Sequence, residues 1–182
     1  WGDFKRTPNV CGSRAVSIQG HLFMYEMALW QYTLTKLMAK GFIPTSVPVL
    51  AKEAAFTNMG QFPFDRDSVY YLPKDDSYLA GTSEVILNSL HSGEVLKEED
   101  LPIMYAGFSP CFRREAGAAG RDTRGVFRVH QFNKVEQFII CKGDVEESEK
   151  LHKFLLQNSE ELLQELVLPY RVVECCTGDM GA

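Results

Sequence analysis

The chain has 182 residues, of which 45% are hydrophobic and 24% charged, and its formal net charge is -5. That length fits about one domain with a substantial core, and no apolar run approaches the roughly 20 residues of a membrane-spanning helix. A mildly acidic chain is not a generally basic polyanion binder, so any anion site has to come from a local reversal of charge.

The opening residues, WGDFKRTPNVCGSR, lack the apolar core of a signal peptide. A start at Trp1 and a stop at Gly181-Ala182, just after a strand-like run, read as a piece of something longer. The five cysteines, at positions 11, 111, 141, 175 and 176, are odd in number and show no C-x-x-C spacing. Adjacent Cys175 and Cys176 would point to opposite sides of a strand. No metal site is expected, and reduced thiols in a cytoplasmic or organellar matrix compartment are.

Leu22 to Lys40 carries Phe23, Met27, Trp30, Leu34, Leu37 and Met38 at helical spacing, and Gly41 is a good stop. Phe42 to Leu50 cannot continue it, because Pro44 and Pro48 remove backbone donors and favour extended geometry. That segment reads as an edge strand, either of the core or at a subunit interface. A short helix over 51–58 ends at Gly60. Two short strands, Ser68–Leu72 and Ser77–Ala80, flank a Pro-Lys-Asp-Asp turn. Gly81-Thr82-Ser83-Glu84 then enters a helix over 85–91, offering hydroxyls, free N–H groups and a carboxylate, which also describes an ordinary N-cap. Asp144 to Leu166 is the clearest helix, with Glu147 three residues after Asp144 as in a capping box and Leu151, Phe154, Leu155, Leu162 and Leu166 as its stripe. Tyr170 to Cys176 reads as a further strand ending in the turn Thr177-Gly178-Asp179. The pattern predicts an α+β fold, a mainly antiparallel sheet flanked by helices packed on one side.

The local reversal of charge lies between Cys111 and Lys134, where six basic residues face two acidic ones. Two strand-like runs are separated by a loop, 116–125, with three glycines and two arginines. In a strand from Phe127 to Ile140, period two puts Arg128, His130, Phe132, Lys134, Glu136 and Phe138 on one face. At about 3.3 Å per residue, Arg128 to Phe132 and Phe132 to Glu136 each span roughly 13 Å, three subsites for an extended ligand with an anionic group, a flat ring and a cationic or hydroxyl-bearing end. Arg113 and Glu115 share a face of the partner strand. A solvated edge hairpin with alternating charges explains the same pattern, but arginine and a basic glycine loop favour an anion-binding face.

The run FRREAGAAGRDTRGVFRVHQFNKVEQF resembles motif 2 of the class II aminoacyl-tRNA synthetases, in the form of the seryl enzymes. KGFIPTSVP resembles the end of motif 1, LAGTSEV their Thr-x-Glu loop, and LPYRVVECCTGDMG the strand and turn that follow motif 2. The resemblance runs from about Val10 to the end. It implies a single partial class II catalytic core over 1–182, with motif 1 at about 22–50, a serine-binding loop at 81–84 and motif 2 at about 110–138. The family's N-terminal tRNA-binding coiled coil and its motif 3 region are expected to be missing. The resemblance further implies activation of L-serine with ATP and transfer of the seryl group to tRNA(Ser).

By the same resemblance, Arg113 is the catalytic arginine, binding the α-phosphate and the serine carboxylate. Arg114, Glu115, Arg128, Val129 and Phe132 complete the ATP contacts, Phe132 by stacking on adenine. Thr82, Ser83, Glu84 and Glu136 hold serine, Glu84 pairing with its ammonium and Glu136 accepting from its hydroxyl. Arg121 and Arg124 meet the tRNA acceptor end, and Pro48 lies in a homodimer interface. Mg2+ is expected with ATP, its principal protein ligand falling after Ala182. The segment Ala15–Gly20 departs from the family's aromatic and Lys-Gly residues, which puts in question the dimer contact. Competing implications are a synthetase-like paralogue or a non-catalytic binding or dimerisation module.

Overall fold

The computed structural model describes residues 2–116 and 125–179. A two-residue ribbon, β1 (Gly2–Asp3) with β2 (Ser17–Ile18), brackets a short helix α1 (Arg6–Cys11). The long helix α2 (His21–Ala39) follows where the apolar spacing predicts it. Its end is closed by two bonds: Gly41 N–H donates to Met38 O at 3.0 Å, and Phe42 N–H to Leu37 O at 3.0 Å. Gly41 sits at φ +91°, a left-handed conformation that glycine adopts without a Cβ penalty. Phe42 and Leu37 then meet in the core, so the stop signal also sets where the next strand begins.

That strand, β3 (Ile43–Ser46), lies at the edge of the sheet β3-β7-β8, as Pro44 requires. A second sheet is built from β4 (Leu50–Ala51), β5 (Tyr70–Leu72) and β6 (Ser77–Leu79), with β5 and β6 forming the expected hairpin. The short helices α3 (Glu53–Asn58) and α4 (Glu84–Ser89) flank this sheet. The central sheet is completed by β7 (Ile103–Phe112) and β8 (Gln131–Ile140), ten antiparallel pairs from Ile103↔Ile140 to Phe112↔Gln131. β3 pairs with β7 in parallel. Helix α5 (Val145–Glu165) is capped as expected, Asp144 accepting from Glu147 N–H at 2.8 Å, while the Glu147 carboxylate pairs with Lys142 at 3.3 Å.

Two apolar clusters form the core of the described residues. Leu37, Phe42 and Ala106 pack with Leu34, Val135, Ile139, Phe154 and Leu155, which places α2 and α5 on one face of the central sheet. Phe56, Phe62, Val69, Tyr78, Ala80 and Val85 pack under the second sheet. Helix α4 reaches the other face of β7 and β8, so the helices cover both faces rather than one.

Three expected strands are corrected. Tyr170–Cys176 carries no ladder and is exposed: a strand needs a hydrogen-bonded strand beside it, and none of the described residues supplies one. The long hairpin strands also stop early. Arg113 N–H still donates to His130 O at 2.9 Å, but Arg114 N–H turns to Ser68 O at 3.0 Å and His130 N–H to Arg14 O at 3.1 Å. Competing acceptors split the pair, and Glu115 enters the left-handed region at φ +55°. Arg113 and Glu115 therefore lie past the end of β7, and Arg128 and His130 lie before β8.

Candidate functional site

Three segments converge on one face of the central sheet. Gly81–Glu84 leaves β6 and is tied to the end of β7 by Phe112 N–H donating to Ala80 O at 3.0 Å. β8 presents Phe132, Lys134 and Glu136 on this face, opposite Cys111, Ser109 and Gly107 of β7. Gly107 makes the approach possible: a Cβ there would stand 2.7 Å from Ser83 Oγ and 2.8 Å from a Leu87 methyl. The sheet thus carries α4 at a distance that only a residue without a side chain permits.

Glu136 is the hub. Its Oε2 accepts from Thr82 Oγ1 at 2.5 Å, Ser83 Oγ at 2.7 Å and the Glu84 backbone N–H at 3.1 Å. Its Oε1 accepts from Lys134 Nζ at 2.6 Å, and Lys134 also donates to Thr82 Oγ1 at 2.9 Å. Burial alone would raise the Glu136 pKa, but the bonds from Lys134, Thr82 and Ser83 outweigh it and hold the carboxyl below its ordinary value. Glu84 goes the other way: partial burial, then the Glu136 charge, raise its pKa, with Lys134 opposing. Its carboxylate has no ion-pair partner among the described residues. The face therefore holds one neutralised carboxylate, Glu136, and one free one, Glu84.

Arg113 stands at the head of this face. Its Nε reaches Gly81 O at 3.4 Å and its guanidinium lies 5.3 Å from the centroid of the Phe132 ring, a cation–π arrangement. Past it, Arg128 Nη1 donates to Glu115 Oε2 at 3.0 Å. Gly81, Thr82, Phe112, Arg113, Glu115 and Arg128 line a cavity of about 340 Å³ together with Gln61, Asp65, Ser68, Val69 and Ala116. A polar cavity with two arginines suits an anionic ligand. A larger cavity of about 620 Å³ lies between α2 and α5, but its charged groups are occupied by one another, Lys36 with Glu165 and Lys40 with Asn158 and Glu161. The smaller cavity, with its convergent charge, is the better candidate.

The structure brings together Thr82, Ser83, Glu84, Arg113, Phe132 and Glu136, and beside them Glu115 and Arg128. The expected single row of three subsites on one strand is replaced by two adjacent clusters, since Arg128 precedes β8. Arg114 is fixed through its backbone to Ser68, Val129 is half-buried ahead of β8, and Pro48 is exposed just after β3. Arg121 and Arg124 lie outside the described residues. Lys134 was not among the expected site residues, although its two-residue spacing from Glu136 marks it as a neighbour on the same face. His130, expected on the same face but given no role, donates from Nδ1 to Arg113 O at 3.0 Å and so helps place the arginine. Among the described residues no three His, Cys, Asp or Glu side chains are grouped to hold a metal ion. No helix among the described residues is long and apolar enough to cross a membrane.

Residues 70–182 match the family described as tRNA synthetase class II core domain (G, H, P, S and T). The chain is 50% identical, over its whole length, to a serine-tRNA ligase of Deinococcus radiodurans and covers 43% of that protein. It is 46% identical to a serine-tRNA ligase of Thermococcus onnurineus, with 98% of the chain aligned and 39% of that protein covered. The structure matches seryl-tRNA synthetase from Pyrococcus horikoshii complexed with ATP at a TM-score of 0.93 and 43% identity, over 99% of this chain and 40% of that one. A cytoplasmic serine-tRNA ligase from Naegleria fowleri in complex with AMP gives a TM-score of 0.93 at 34% identity, over 98% of this chain and 42% of that one. The chain thus spans about two fifths of the length of these relatives.

Proposed function

The chain belongs to the tRNA synthetase class II core family, and on that premise we propose that it forms the serine- and ATP-binding part of an enzyme that activates L-serine and transfers it to tRNA(Ser). The observation that carries this reading is the Glu136 hub. A carboxylate held ionised on a partly buried face, with one oxygen saturated by three donors and the other by one, keeps a single acceptor position for a small hydroxyl. An amino acid lacking that hydroxyl leaves the position unpaired, which is how a polar site rejects an apolar analogue. Glu84 takes the ligand ammonium, and Arg113 takes the carboxylate and the phosphate it attacks. Adenylyl transfer needs that positioning and charge stabilisation more than a protein nucleophile. The cavity bounded by Arg113, Glu115 and Arg128 supports a nucleotide beside it, with Phe132 as the stacking ring and Arg114 and Val129 at its margin.

Arg121 and Arg124 belong, in this reading, to a salt-sensitive contact with the tRNA acceptor end. Mg2+ enters with the ATP phosphates. The regions 22–50, 81–84 and 110–138 act as motif 1, the serine loop and motif 2. A homodimer is supported by α2, whose Phe23, Met24, Tyr25, Met27, Leu29 and Met38 stay exposed although the helix is apolar on most sides, and by the edge strand β3 leading to Pro48. A cytoplasmic or organellar matrix location is supported by the reduced thiols of Cys11, Cys111, Cys141 and Cys175.

Amino-acid-dependent exchange of pyrophosphate into ATP tests the proposal, comparing L-serine, L-alanine, L-threonine and L-proline. Serine is expected to exceed the others by at least tenfold in kcat/KM. Equal rates for serine and alanine would remove the role given to Glu136.

A further inference from the structure

The serine reading gives Glu136 a hydroxyl and Glu84 an ammonium, yet both are carboxylates within one small site, and an ammonium is attracted to either. Lys134 distinguishes them. It is the third member of a closed ring in which Lys134 Nζ donates to Glu136 Oε1 at 2.6 Å and to Thr82 Oγ1 at 2.9 Å, while Thr82 Oγ1 donates to Glu136 Oε2 at 2.5 Å. The ring joins β8 to the loop before α4 and sits on a face whose Lys134 and Glu136 side chains are 28% and 19% exposed. At such partial burial a formal charge acts strongly on its neighbours. The titratable groups around Glu136 are Lys134 from its own strand, Glu84 from the start of α4 and Cys111 from β7, with Arg113 beside Cys111.

Resting on that functional reading, we infer that Lys134 is a positioning residue that sets the orientation and charge specificity of the amino-acid ligand. Its charge cancels that of Glu136, so the carboxylate remains an acceptor for a neutral hydroxyl but ceases to attract a cation. Glu84, whose carboxylate has no ion-pair partner among the described residues, becomes the one place where the α-ammonium binds, and Arg113 opposite receives the α-carboxylate. The same charge excludes ligands whose side chain ends in an ammonium, because that group would meet Lys134 beside Oε1.

The test compares L-serine with L-2,3-diaminopropionate, which replaces the hydroxyl with an amine, at mildly acidic pH where both of its amines are protonated. Binding is measured by calorimetry on the wild-type protein and on K134M, K134Q and K134R, with far-UV circular dichroism to establish that each is folded. The wild type is expected to bind serine and reject the diamine. In K134M the serine-to-diamine preference should fall by at least tenfold. K134Q keeps hydrogen-bond donors at this position but not the charge, so it should behave like K134M, and it stands in if K134M does not fold. K134R should restore the preference. An unchanged preference in K134M or K134Q, or an equal loss of both ligands, would overturn the role of Lys134 while leaving the serine reading intact. A wild-type protein that binds neither serine nor the diamine would instead overturn the serine reading, and this inference with it.

Discussion

Gly107 offers the most direct test of how the sheet positions the site. In Gly107→Ala the new methyl would lie 2.7 Å from Ser83 Oγ, 2.8 Å from Leu87 Cδ1 and 3.1 Å from Ser83 Cβ. Leu87 and Ser83 are both fully buried, so neither can swing into solvent. The loop and the first turn of α4 must instead lift by several tenths of an ångström. Overpacking of this kind costs about 1–3 kcal/mol. With a urea dependence of about 2 kcal/mol per molar, a cost of about 2 kcal/mol lowers the unfolding midpoint by about 1 M. Lifting also lengthens the Ser83 bond to Glu136, now 2.7 Å. A hydrogen bond to a charged group contributes about 1.5–3 kcal/mol, so serine affinity should fall about tenfold or more. Nucleotide binding, proposed for the cavity beside Arg113 and Arg128, should change much less. Urea unfolding monitored by fluorescence and calorimetric titration with serine and ATP provide the two readouts. An unchanged midpoint together with unchanged serine affinity would refute the claim that a bare glycine sets the distance between α4 and the sheet.

The two carboxylates should respond to pH in opposite senses. The Glu136 pKa is lowered in the fold, so its contribution is present above the unfolded carboxylate value and is lost as pH falls through the folded one; acid unfolding of Glu136→Gln should have a shallower acid limb than the wild type. The Glu84 pKa is raised, so its ionised form opposes folding above the folded value, and Glu84→Gln should be more stable than wild type near neutral pH while binding serine less tightly. Chemical denaturation at a series of pH values checks both, and parallel pH profiles for the two variants would contradict the assignments. At the proposed subunit contact, Tyr25 is 72% and Met24 61% exposed. Sedimentation velocity of Tyr25→Glu should show a monomer where the wild type shows a dimer; a wild-type monomer at high concentration would remove the dimer proposal.

The sequence by itself determined what local chemistry controls. The apolar spacing of α2 and its glycine stop, the Asp144 cap of α5 and the β5–β6 hairpin all rest on contacts within a few residues, and each stands where the residues put it. The same local logic placed Phe132, Lys134 and Glu136 on one face, because period two holds wherever β8 is a strand. Tertiary structure decided where that strand begins. Arg114 and His130 could have continued the ladder, but Ser68 and Arg14, far away in the chain, offered their carbonyls instead. It likewise made β3 parallel to β7 and left Tyr170–Cys176 without a ladder strand beside it among the described residues. Lys134 and Thr82, 52 residues apart, meet only because Gly107 lets α4 approach the sheet. Such choices depend on which distant donor, acceptor or empty space reaches a residue first, and no spacing along the chain encodes that.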